Sequence, residues 1–422
     1  MLERFVQWET LAPRTAENVP PEDAILWREV SRSDPLQRFL WSAGAAGAAV
    51  LLLVNDPHRA TRTRPVLAAL CEARRGLTRQ PRFRALVATG THRFDAPERR
   101  AFETATFHDC GLELDAVAWH DAFDSSALAE IAGFRMHRWI DESKFLLPIG
   151  SVGLHYFAGL TGAHKTATIG CMSYEDIERN HAGAMDSASD AFVCRGNPVF
   201  DDIARTLGAL ELAGKRICAV NQIVRDNSAV DARAGSWLDS LVGLTAAVFR
   251  TSFQYLPHAV DILHLKVPPP LGRSFYQADK ALKNNHLAVR DSGGIILEAD
   301  CSDGIGPDAF MSLLHEAPDY ASAVRIVQQR GYRLGDHKAV KLRHLTDPAV
   351  RNVRLALVST HIAKTHADTV GLTVFETVEA ATSWLTGGVI DGPLRRGLRI
   401  DDAGNFRATP CGQEPIEFPD TP

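Results

Sequence analysis

This 422-residue sequence lacks the closely spaced cysteine pairs of zinc-binding and dithiol-redox motifs. Its seven cysteines are scattered and no CxxC occurs, which argues against a zinc-knuckle or dithiol-redox protein and favours reduced thiols. A long hydrophobic run is also missing, because the longest, residues 43–54, is too short to span a bilayer. The first residues, MLERFVQWETLAPR, contain acidic side chains and no apolar core of the signal-peptide kind. These absences predict a cytoplasmic protein.

Charge of one sign is not concentrated anywhere in the chain. Lys and Arg total 46, Asp and Glu total 51, and the net charge is −5. Since the basic residues are spread rather than clustered, neither nucleic acid nor an anionic membrane is expected as a partner, and a small molecule is. The length exceeds that at which a single hydrophobic core stops growing, so we expect two domains.

Strand and helix patterns alternate along the first half of the chain. The apolar run at 45–54 predicts a buried parallel strand that ends at Asn55-Asp56-Pro57. A helix follows at 65–75, and a second strand at 84–89 runs into a loop at 90–93. Such alternation is typical of a doubly wound α/β sheet, in which ligands bind outside the carboxyl ends of the strands. The expected fold class is two α/β domains with mainly parallel sheets.

The second half predicts a further unit of the same class. Its first strand, 259–267, stops at three prolines, which neither a strand nor a helix interior tolerates. The other predicted elements are strands 216–224, 294–299 and 355–360, helices 229–251 and 275–284, and a strand–helix pair at 372–385. Residues 1–40 are expected to form an arm with little regular structure. The predicted divisions are an N-terminal domain at 1–252, a C-terminal domain at 253–390, and a tail at 391–422 that packs loosely or returns to the first domain.

Three loops at strand ends hold candidate functional side chains: residues 56–59, residues 90–93, and a glycine-rich stretch at 151–185. In an α/β sheet such loops converge on one crevice. His92 and His155 each follow a glycine-containing turn, and either is suited to general acid–base catalysis because imidazole titrates near neutrality. Sixteen histidines occur in the chain, so an ordinary packed or exposed histidine is the alternative for each.

Lys165 lies in the glycine-rich stretch, after Gly159 and Gly162. The phosphate-binding P-loop requires glycine immediately before its lysine, and His164 stands there, so a P-loop is excluded. Small residues with exposed backbone N–H groups can still bind a phosphate. A solvated loop lysine is the alternative.

His181 lies about two turns into a helix predicted to begin at the capping box Ser173-Tyr174-Glu175-Asp176. Neutral imidazole is a common metal ligand. Glu178 is the one neighbour at metal-binding spacing. If His181 binds a metal, most other ligands must therefore come from elsewhere, and a packed or exposed histidine is the alternative.

Taken together, these segments resemble the lactate racemase family that uses a nickel-pincer nucleotide cofactor. The family's HxFAGxxGxxK signature matches residues 155–165, HYFAGLTGAHK, and its SYxxxxxNH segment matches residues 173–181. The sequence VATGTHR at 87–93 is similar to its ATGxHR loop. NDPHR at 55–59 resembles its DxTR turn, and YQADK at 276–280 matches its YQAxK helix.

The resemblance implies a covalently bound cofactor. Lys165 would be joined through a thioamide to a pyridinium mononucleotide, the pyridinium-3-thioamide-5-thiocarboxylic acid mononucleotide, whose two sulfurs and one ring carbon hold nickel. His181 would be the nickel's only protein ligand. The residues near the nucleotide would be Asp56, Gly159, Gly162 and Tyr276. Enzymes that make this cofactor are then expected partners.

The resemblance also implies how a substrate is handled, in a cleft between the two domains. His92 and His155 would be acid–base partners, one for each face of a 2-hydroxy acid. Its carboxylate would be bound by Arg59, Gln277 and Lys280. A hydrogen alpha to a carboxylate is poorly acidic, so it would leave as hydride while a histidine takes the hydroxyl proton. Hydride returned to the opposite face yields the other enantiomer.

The chain departs from the family pattern at three places. His58 replaces the threonine of DxTR, Ala163-His164 replaces Gly-Arg before the lysine, and a tryptophan that lines the lactate site aligns nearest to Gly335-Asp336-His337-Lys338. We therefore expect a racemase or epimerase of a 2-hydroxy acid that is larger or more polar than lactate. The alternatives are epimerisation of a sugar acid at another carbon with the same cofactor, a zinc-dependent hydrolase using His155 and His181, and a cofactor-binding protein without turnover.

Overall fold

The computed structural model describes residues 6–13, 23–225, 227–363, 372–387 and 395–411. The chain divides into two compact units. The first unit contains the described residues of 15–249, and the second contains the described residues of 1–14 and 250–415. Both units combine helices with largely parallel sheets.

The strands are numbered in chain order. They are β1 (Val6–Leu11), β2 (Ala49–Asn55), β3 (Arg82–Ala88), β4 (Ala116–Trp119), β5 (Leu128–Ile131), β6 (Phe134–His137), β7 (Phe145–Ser151), β8 (Leu154–His155), β9 (Gly159–Leu160), β10 (Arg216–Ile217), β11 (Ala219–Arg225), β12 (Ser228–Gly235), β13 (Phe253–Leu256), β14 (Val260–Val267), β15 (Val289–Ala299), β16 (Arg354–Val358), β17 (Thr373–Phe375), β18 (Arg395–Ile400) and β19 (Arg407–Pro410).

The α-helices are numbered in the same way. They are α1 (Ala24–Ser31), α2 (Asp34–Ala45), α3 (Thr63–Arg74), α4 (Ala96–Phe107), α5 (Arg138–Glu142), α6 (Ala163–Ala167), α7 (Tyr174–Ala182), α8 (Pro198–Leu212), α9 (Trp237–Ser252), α10 (Phe275–Asn285), α11 (Asp308–Glu316), α12 (Tyr320–Arg330), α13 (Asp336–Thr346) and α14 (Val378–Thr386). Among these helices, none combines the length and the apolar character that crossing a membrane requires.

A mainly parallel sheet forms the centre of the first unit. Its strand order is β12-β11-β7-β2-β3-β4, and the short β10 also pairs with β7. The hairpin of β11 and β12 is antiparallel, whereas the other neighbours run parallel. Residues 50–54 of β2 are fully buried, as expected for a strand covered on both faces. Apolar side chains of α1, α2 and α3 pack in one core with alternate residues of β2.

The order of the strands reverses at β2. From β2 the chain continues to β3 and β4 on one side of the sheet, and later returns to β7 and β11 on the other side. A reversal of this kind leaves a crevice at the carboxyl ends of the strands, which is where α/β sheets bind ligands. The segments that follow β2, β3 and β7 begin at Asp56, Thr89 and Val152.

The second unit contains a six-stranded sheet in the order β1-β18-β14-β15-β16-β17, with every neighbouring pair parallel. The helix α10 follows β14 after the three prolines. Ser274 caps α10, since its side-chain oxygen accepts a hydrogen bond from the backbone N–H of Gln277 at 3.3 Å. This fixes the start of the helix within one residue of the predicted position.

The predicted α/β class with mainly parallel sheets is confirmed, but two regions differ from the sequence expectations. Residues 228–235 form β12 instead of the first turns of a helix, because they pair with β11 around Asn227, whose φ is 60°. Ala229 and Ala232 of this strand are buried. Pairing and burial here outweigh the helix propensity of alanine, and α9 begins only at Trp237.

The second region that differs from the sequence expectations comprises the two ends of the chain. Residues 6–11 and 24–45 contain β1, α1 and α2, so the expectation of an arm with little regular structure is wrong. β1 and β18 are adjacent parallel strands of the second unit's sheet. The described part of the tail, with β18 and β19, belongs to the second unit, while residues 412–422 lie outside the described residues.

Candidate active site

A carboxylate at the end of β2 holds His92. Asp56 is 3% exposed, and its Oδ2 lies 2.8 Å from Nδ1 of His92. Its Oδ1 accepts a hydrogen bond from the backbone N–H of His58 at 2.9 Å. A carboxylate at Nδ1 favours the tautomer with its proton on Nδ1, which makes Nε2 the acceptor. His92 is therefore an oriented imidazole with 30% of its side chain exposed.

His58 is a second imidazole beside His92. Their ring centroids are 5.0 Å apart, and the ring of Phe94 lies 4.8 Å from that of His58. Burial, followed by the neighbouring His92, lowers the pKa of His58. In the sequence His58 is visible only as a departure from the DxTR turn. Its separation of two residues from Asp56 is the signal that places it in this cluster.

Arg59 follows in the same turn, where its backbone N–H donates to the carbonyl of Asp56 at 3.1 Å. The side chain is exposed. Its positive charge is close enough to contribute to the lowered pKa of Lys165. Arg59 thus brings positive charge toward Lys165.

Two hydrogen bonds join the ends of β2 and β3 to the glycine-rich stretch. The Asn55 side-chain amide donates to Oγ1 of Thr166 at 2.9 Å. The backbone N–H of Gly90 donates to the carbonyl of Gly170 at 3.0 Å. The predicted convergence of the three loops is therefore observed within the first unit.

His155 is the last residue of β8, at the turn of the short hairpin that β8 forms with β9. Its Nδ1 accepts a hydrogen bond from the backbone N–H of Ala158 at 3.3 Å. Gly159 closes the turn with a φ of 70°, and a Cβ there would lie 2.5 Å from the carbonyl oxygen of Val193. Only glycine fits this position without a backbone shift. The turn leaves Nε2 of His155 directed at Lys165.

Lys165 lies in the short helix α6, with its Nζ 3.1 Å from Nε2 of His155. Burial, followed by the charge of Arg59, lowers the pKa of Lys165 to about 7. No carboxylate among the described residues offsets these two effects. Lys165 is therefore not a solvated loop lysine: near neutral pH a large fraction of its amine is uncharged, which is the nucleophilic form.

His181 lies near the end of α7, where the predicted cap is observed. The Ser173 hydroxyl accepts a hydrogen bond from the backbone N–H of Asp176 at 3.2 Å. Burial, followed by the charge of Lys165, lowers the pKa of His181 to about 3. The imidazole is therefore neutral near neutral pH, as metal binding requires.

One aromatic ring lies against all three signature residues. The ring of Phe157 lies 4.5 Å from that of His155 and 5.0 Å from that of His181, and its centroid is 5.5 Å from Nζ of Lys165. Sequence reasoning missed this role, because a buried phenylalanine in a motif is indistinguishable from a core residue. The ring contributes to the desolvation that keeps these nitrogens uncharged.

A close backbone approach fixes the start of α6. The side-chain oxygen of Asn221 accepts a hydrogen bond from the backbone N–H of Ala163 at 2.8 Å. Gly162 has a φ of 153°, and a Cβ there would lie 2.9 Å from the same oxygen. His164 is fully buried with its ring 5.5 Å from that of Phe200. His164 therefore packs in the core and does not belong to the reacting groups.

The remaining predicted residues lie in the second unit. Tyr276, Gln277 and Lys280 occupy the first two turns of α10, where a separation of three places Gln277 and Lys280 on one face. The ammonium of Lys338 lies 4.1 Å from the ring centroid of Tyr276 and donates to its carbonyl at 2.6 Å. Asp279, fully buried, lies 3.7 Å from the same ammonium. These contacts fix the position of the first turn of α10.

A metal at His181 would need donors that are not protein side chains. Across the described residues, the group of three metal-binding side chains with ligand atoms within 4.8 Å of one another is Asp56, His58 and His92, and His181 does not belong to it. A single imidazole does not make a metal site. Among the described residues, this donor set does not fit a protein-ligated zinc site at His155 and His181.

Comparison with known proteins decides the family. Residues 7–192 match the lactate racemase N-terminal domain, and residues 266–382 match the lactate racemase C-terminal domain. The chain belongs to the lactate racemase family. The resemblance seen in the signature motifs is thereby confirmed over most of the chain.

Two lactate racemases illustrate how far this member of the family has diverged. The protein from Thermoanaerobacterium thermosaccharolyticum is 24% identical over 293 residues, which cover 67% of each chain. The protein from Lactiplantibacillus plantarum is 22% identical over 284 residues, which cover 64% of each chain. The present chain thus spans about two thirds of the length of these relatives in each match.

Two solved structures share the fold. The lactate racemase apoprotein from T. thermosaccharolyticum superposes with a TM-score of 0.81 at 20% identity, covering 96% of this chain and 95% of that one. A structural genomics target from Thermotoga maritima superposes with a TM-score of 0.66 at 16% identity, covering 93% and 99%. At these identities the similarity establishes the architecture alone.

The lowered pKa of Lys165 predicts unusual amine reactivity in this family member. Brief acetic anhydride labelling over a pH series, read by peptide mass spectrometry, should give a Lys165 rate that is half-maximal near pH 7. At pH 7 the uncharged fraction of Lys165 should exceed that of a lysine with a pKa of about 10.4 by roughly 1,000-fold, and its labelling should be correspondingly faster. Arg59→Gln should move the midpoint upward, because Arg59 lowers this pKa. A Lys165 rate that still rises steeply above pH 9 would contradict the assignment.

Proposed function

We propose that this chain is a racemase or epimerase of a 2-hydroxy acid, with the nickel-pincer nucleotide attached at Lys165 as its cofactor. The observation that carries the proposal is the 3.1 Å approach of Lys165 Nζ to His155 Nε2, beside a phenylalanine ring that also contacts His181. Attachment, proton transfer and metal binding require an amine, a base and a neutral imidazole, and the three lie together. The family and its lactate racemase members support an isomerase.

The residues present fit this cofactor. Lys165 offers an amine with a pKa of about 7, and His181 offers a neutral imidazole as a nickel ligand. Gly159 and Gly162 keep side chains out of the tightly packed turns around Lys165. Asp56 and Tyr276 are the further residues proposed to lie near the nucleotide. When bound, the cofactor supplies a hydride acceptor that can return hydride to either face of the substrate carbon.

His92 is the first of the two proposed acid–bases. Asp56 fixes its ring through Nδ1 and stabilises the imidazolium that forms when Nε2 takes the substrate's hydroxyl proton. The two carboxylate oxygens of Asp56 bond to His92 and to the backbone N–H of His58, so the carboxylate cannot rotate without losing a contact. His92 is thereby held in a productive orientation before substrate binds.

His155 is the second proposed acid–base. The 3.3 Å contact between its Nδ1 and the backbone N–H of Ala158 orients the ring, and Nε2 faces Lys165 at 3.1 Å. Attachment of Lys165 as a thioamide removes the ammonium charge next to His155. His155 then gives or takes the hydroxyl proton on the face opposite to the one that His92 serves, because the two alcohols present their hydroxyls to opposite sides.

The proposed ligands for the substrate carboxylate are Arg59, Gln277 and Lys280. An arginine can bind a carboxylate with two parallel N–H donors, which fixes orientation as well as charge. Gln277 and Lys280 share a face of α10, the first turn of which Lys338 holds in place. These groups bind and orient, and none of them takes part in proton transfer.

The proposed substrate is larger or more polar than lactate. His337 and Lys338, which align nearest to the family's tryptophan, are 2% and 3% exposed and contact Tyr332 and Tyr276. They therefore do not present a polar surface to a substrate. The proposal rests instead on His58, an exposed imidazole next to His92 where the family has threonine. This ring adds a hydrogen-bonding group beside one of the acid–bases.

Replacing the histidines one at a time should separate their roles. In protein loaded with cofactor, His92→Ala and His155→Ala should keep nickel and lose about 100-fold or more of the turnover, since each removes one acid–base. His181→Ala should lose nickel. His108→Ala, which removes an exposed imidazole, should keep both properties. Metal analysis and chiral product analysis read the two effects, and a His155→Ala variant that racemises at the parent rate would overturn the two-base scheme.

A panel of single-enantiomer 2-hydroxy acids and sugar acids should locate the substrate. We expect kcat/KM to be higher for acids with a larger or polar substituent than for lactate, and His58→Thr to narrow that difference. NMR of the products identifies the inverted carbon, which separates a 2-hydroxy acid racemase from an epimerase acting at another carbon. If lactate is turned over best, the substrate proposal is wrong.

A further inference from the structure

The loops after β2 and β3 bring together three side chains with metal-ligating atoms, a grouping that the proposed reaction does not require as a metal site. Asp56, His58 and His92 each offer one ligand atom, and these atoms all lie within 4.8 Å of one another. Two imidazoles and one carboxylate are a ligand set that suits divalent zinc, cobalt or iron with open positions for water. The set is separate from His181, which lies on α7 and is not a member of this group.

We propose that Asp56, His58 and His92 bind a divalent transition-metal ion that blocks His92. Binding by the three side chains does not depend on the proposed racemase function. The inhibitory effect rests on it, because it requires His92 to be an acid–base.

The geometry requires only small movements. Nδ1 of His92 and Oδ2 of Asp56 are 2.8 Å apart, whereas ligands about 2.0–2.2 Å from a tetrahedral zinc are separated by roughly 3.3–3.5 Å. The ion would therefore replace the shared proton and separate the two atoms slightly. His58 must bring a ring nitrogen inward, and its side chain is exposed in a loop whose backbone is already tied to Asp56.

His58 is the residue that makes the site. Asp56 and His92 alone offer two ligands, which is too few for a specific transition-metal site. The threonine found at this position in the family's DxTR turn would not supply the third. The property is therefore expected of this chain and not of members that have threonine there.

Metal binding at Nδ1 would fix the tautomer of His92. A neutral imidazole that binds a metal through Nδ1 carries its proton on Nε2. His92 Nε2 could then no longer accept a hydroxyl proton. An ion in this site would thus inhibit turnover without displacing any cofactor.

Cobalt(II) titration of the full-length, cofactor-free protein tests the proposal, with visible absorption as the readout and zinc as the competitor. One equivalent should bind and be displaced by zinc. His58→Thr and, as a second variant, His58→Gln should weaken binding by at least about tenfold. His181→Ala should bind as the parent does, and so should His108→Ala, which removes the imidazole of an exposed histidine–aspartate pair.

Three outcomes would overturn the proposal: no cobalt binding, binding that both His58 variants retain, or binding that His181→Ala abolishes. Since no cofactor or substrate is present, none of these outcomes depends on whether the chain is a racemase. Conversely, a failure to find nickel or a modified Lys165 in loaded protein would leave the cobalt result intact. The two proposals can therefore fail separately.

Discussion

The parallel pairing of β2 with β3 on one side and β7 on the other decides where every candidate group of the first unit lies. Because the three strands run in the same direction, the residues after them are brought to one edge of the sheet. The reversal of strand order at β2 opens a crevice there. Asp56, His92 and the stretch that carries His155 and Lys165 are neighbours for this reason, although they are far apart in the sequence.

Desolvation then sets the charge state of these groups. Lys165 and His181 both have lowered pKa values, and burial is the largest cause in each case. The positive charge of Arg59 acts on Lys165 in the same direction. The environment of His92 differs from that of Lys165 and His181, because the buried carboxylate of Asp56 contacts its ring. One crevice thus offers an amine and an imidazole that burial keeps uncharged, and a second imidazole oriented by a carboxylate, which are the forms that the proposed attachment, metal ligation and proton transfer need.

Local patterns predict the parts of this structure that short-range physics controls. The buried run of β2, the stop at three prolines after β14 and the cap of α7 all follow from residue type and spacing. Long-range pairing is not visible in the same way. β7 lies in the middle of its sheet although it contains Pro148, and proline is expected only in edge strands. β1 pairs with β18, whose residues lie almost four hundred positions later in the sequence. His58 and Phe157 likewise gain their significance only from neighbours that the fold supplies.

The role proposed for Lys165 is attachment of a nickel-containing nucleotide. Intact-mass and peptide mass spectrometry of the protein, produced together with the enzymes that make the cofactor, tests it most directly. We expect a mass increase confined to the peptide containing Lys165, with nickel bound to the parent protein and lost in His181→Ala. An unmodified Lys165 peptide and no bound nickel under these conditions would contradict it.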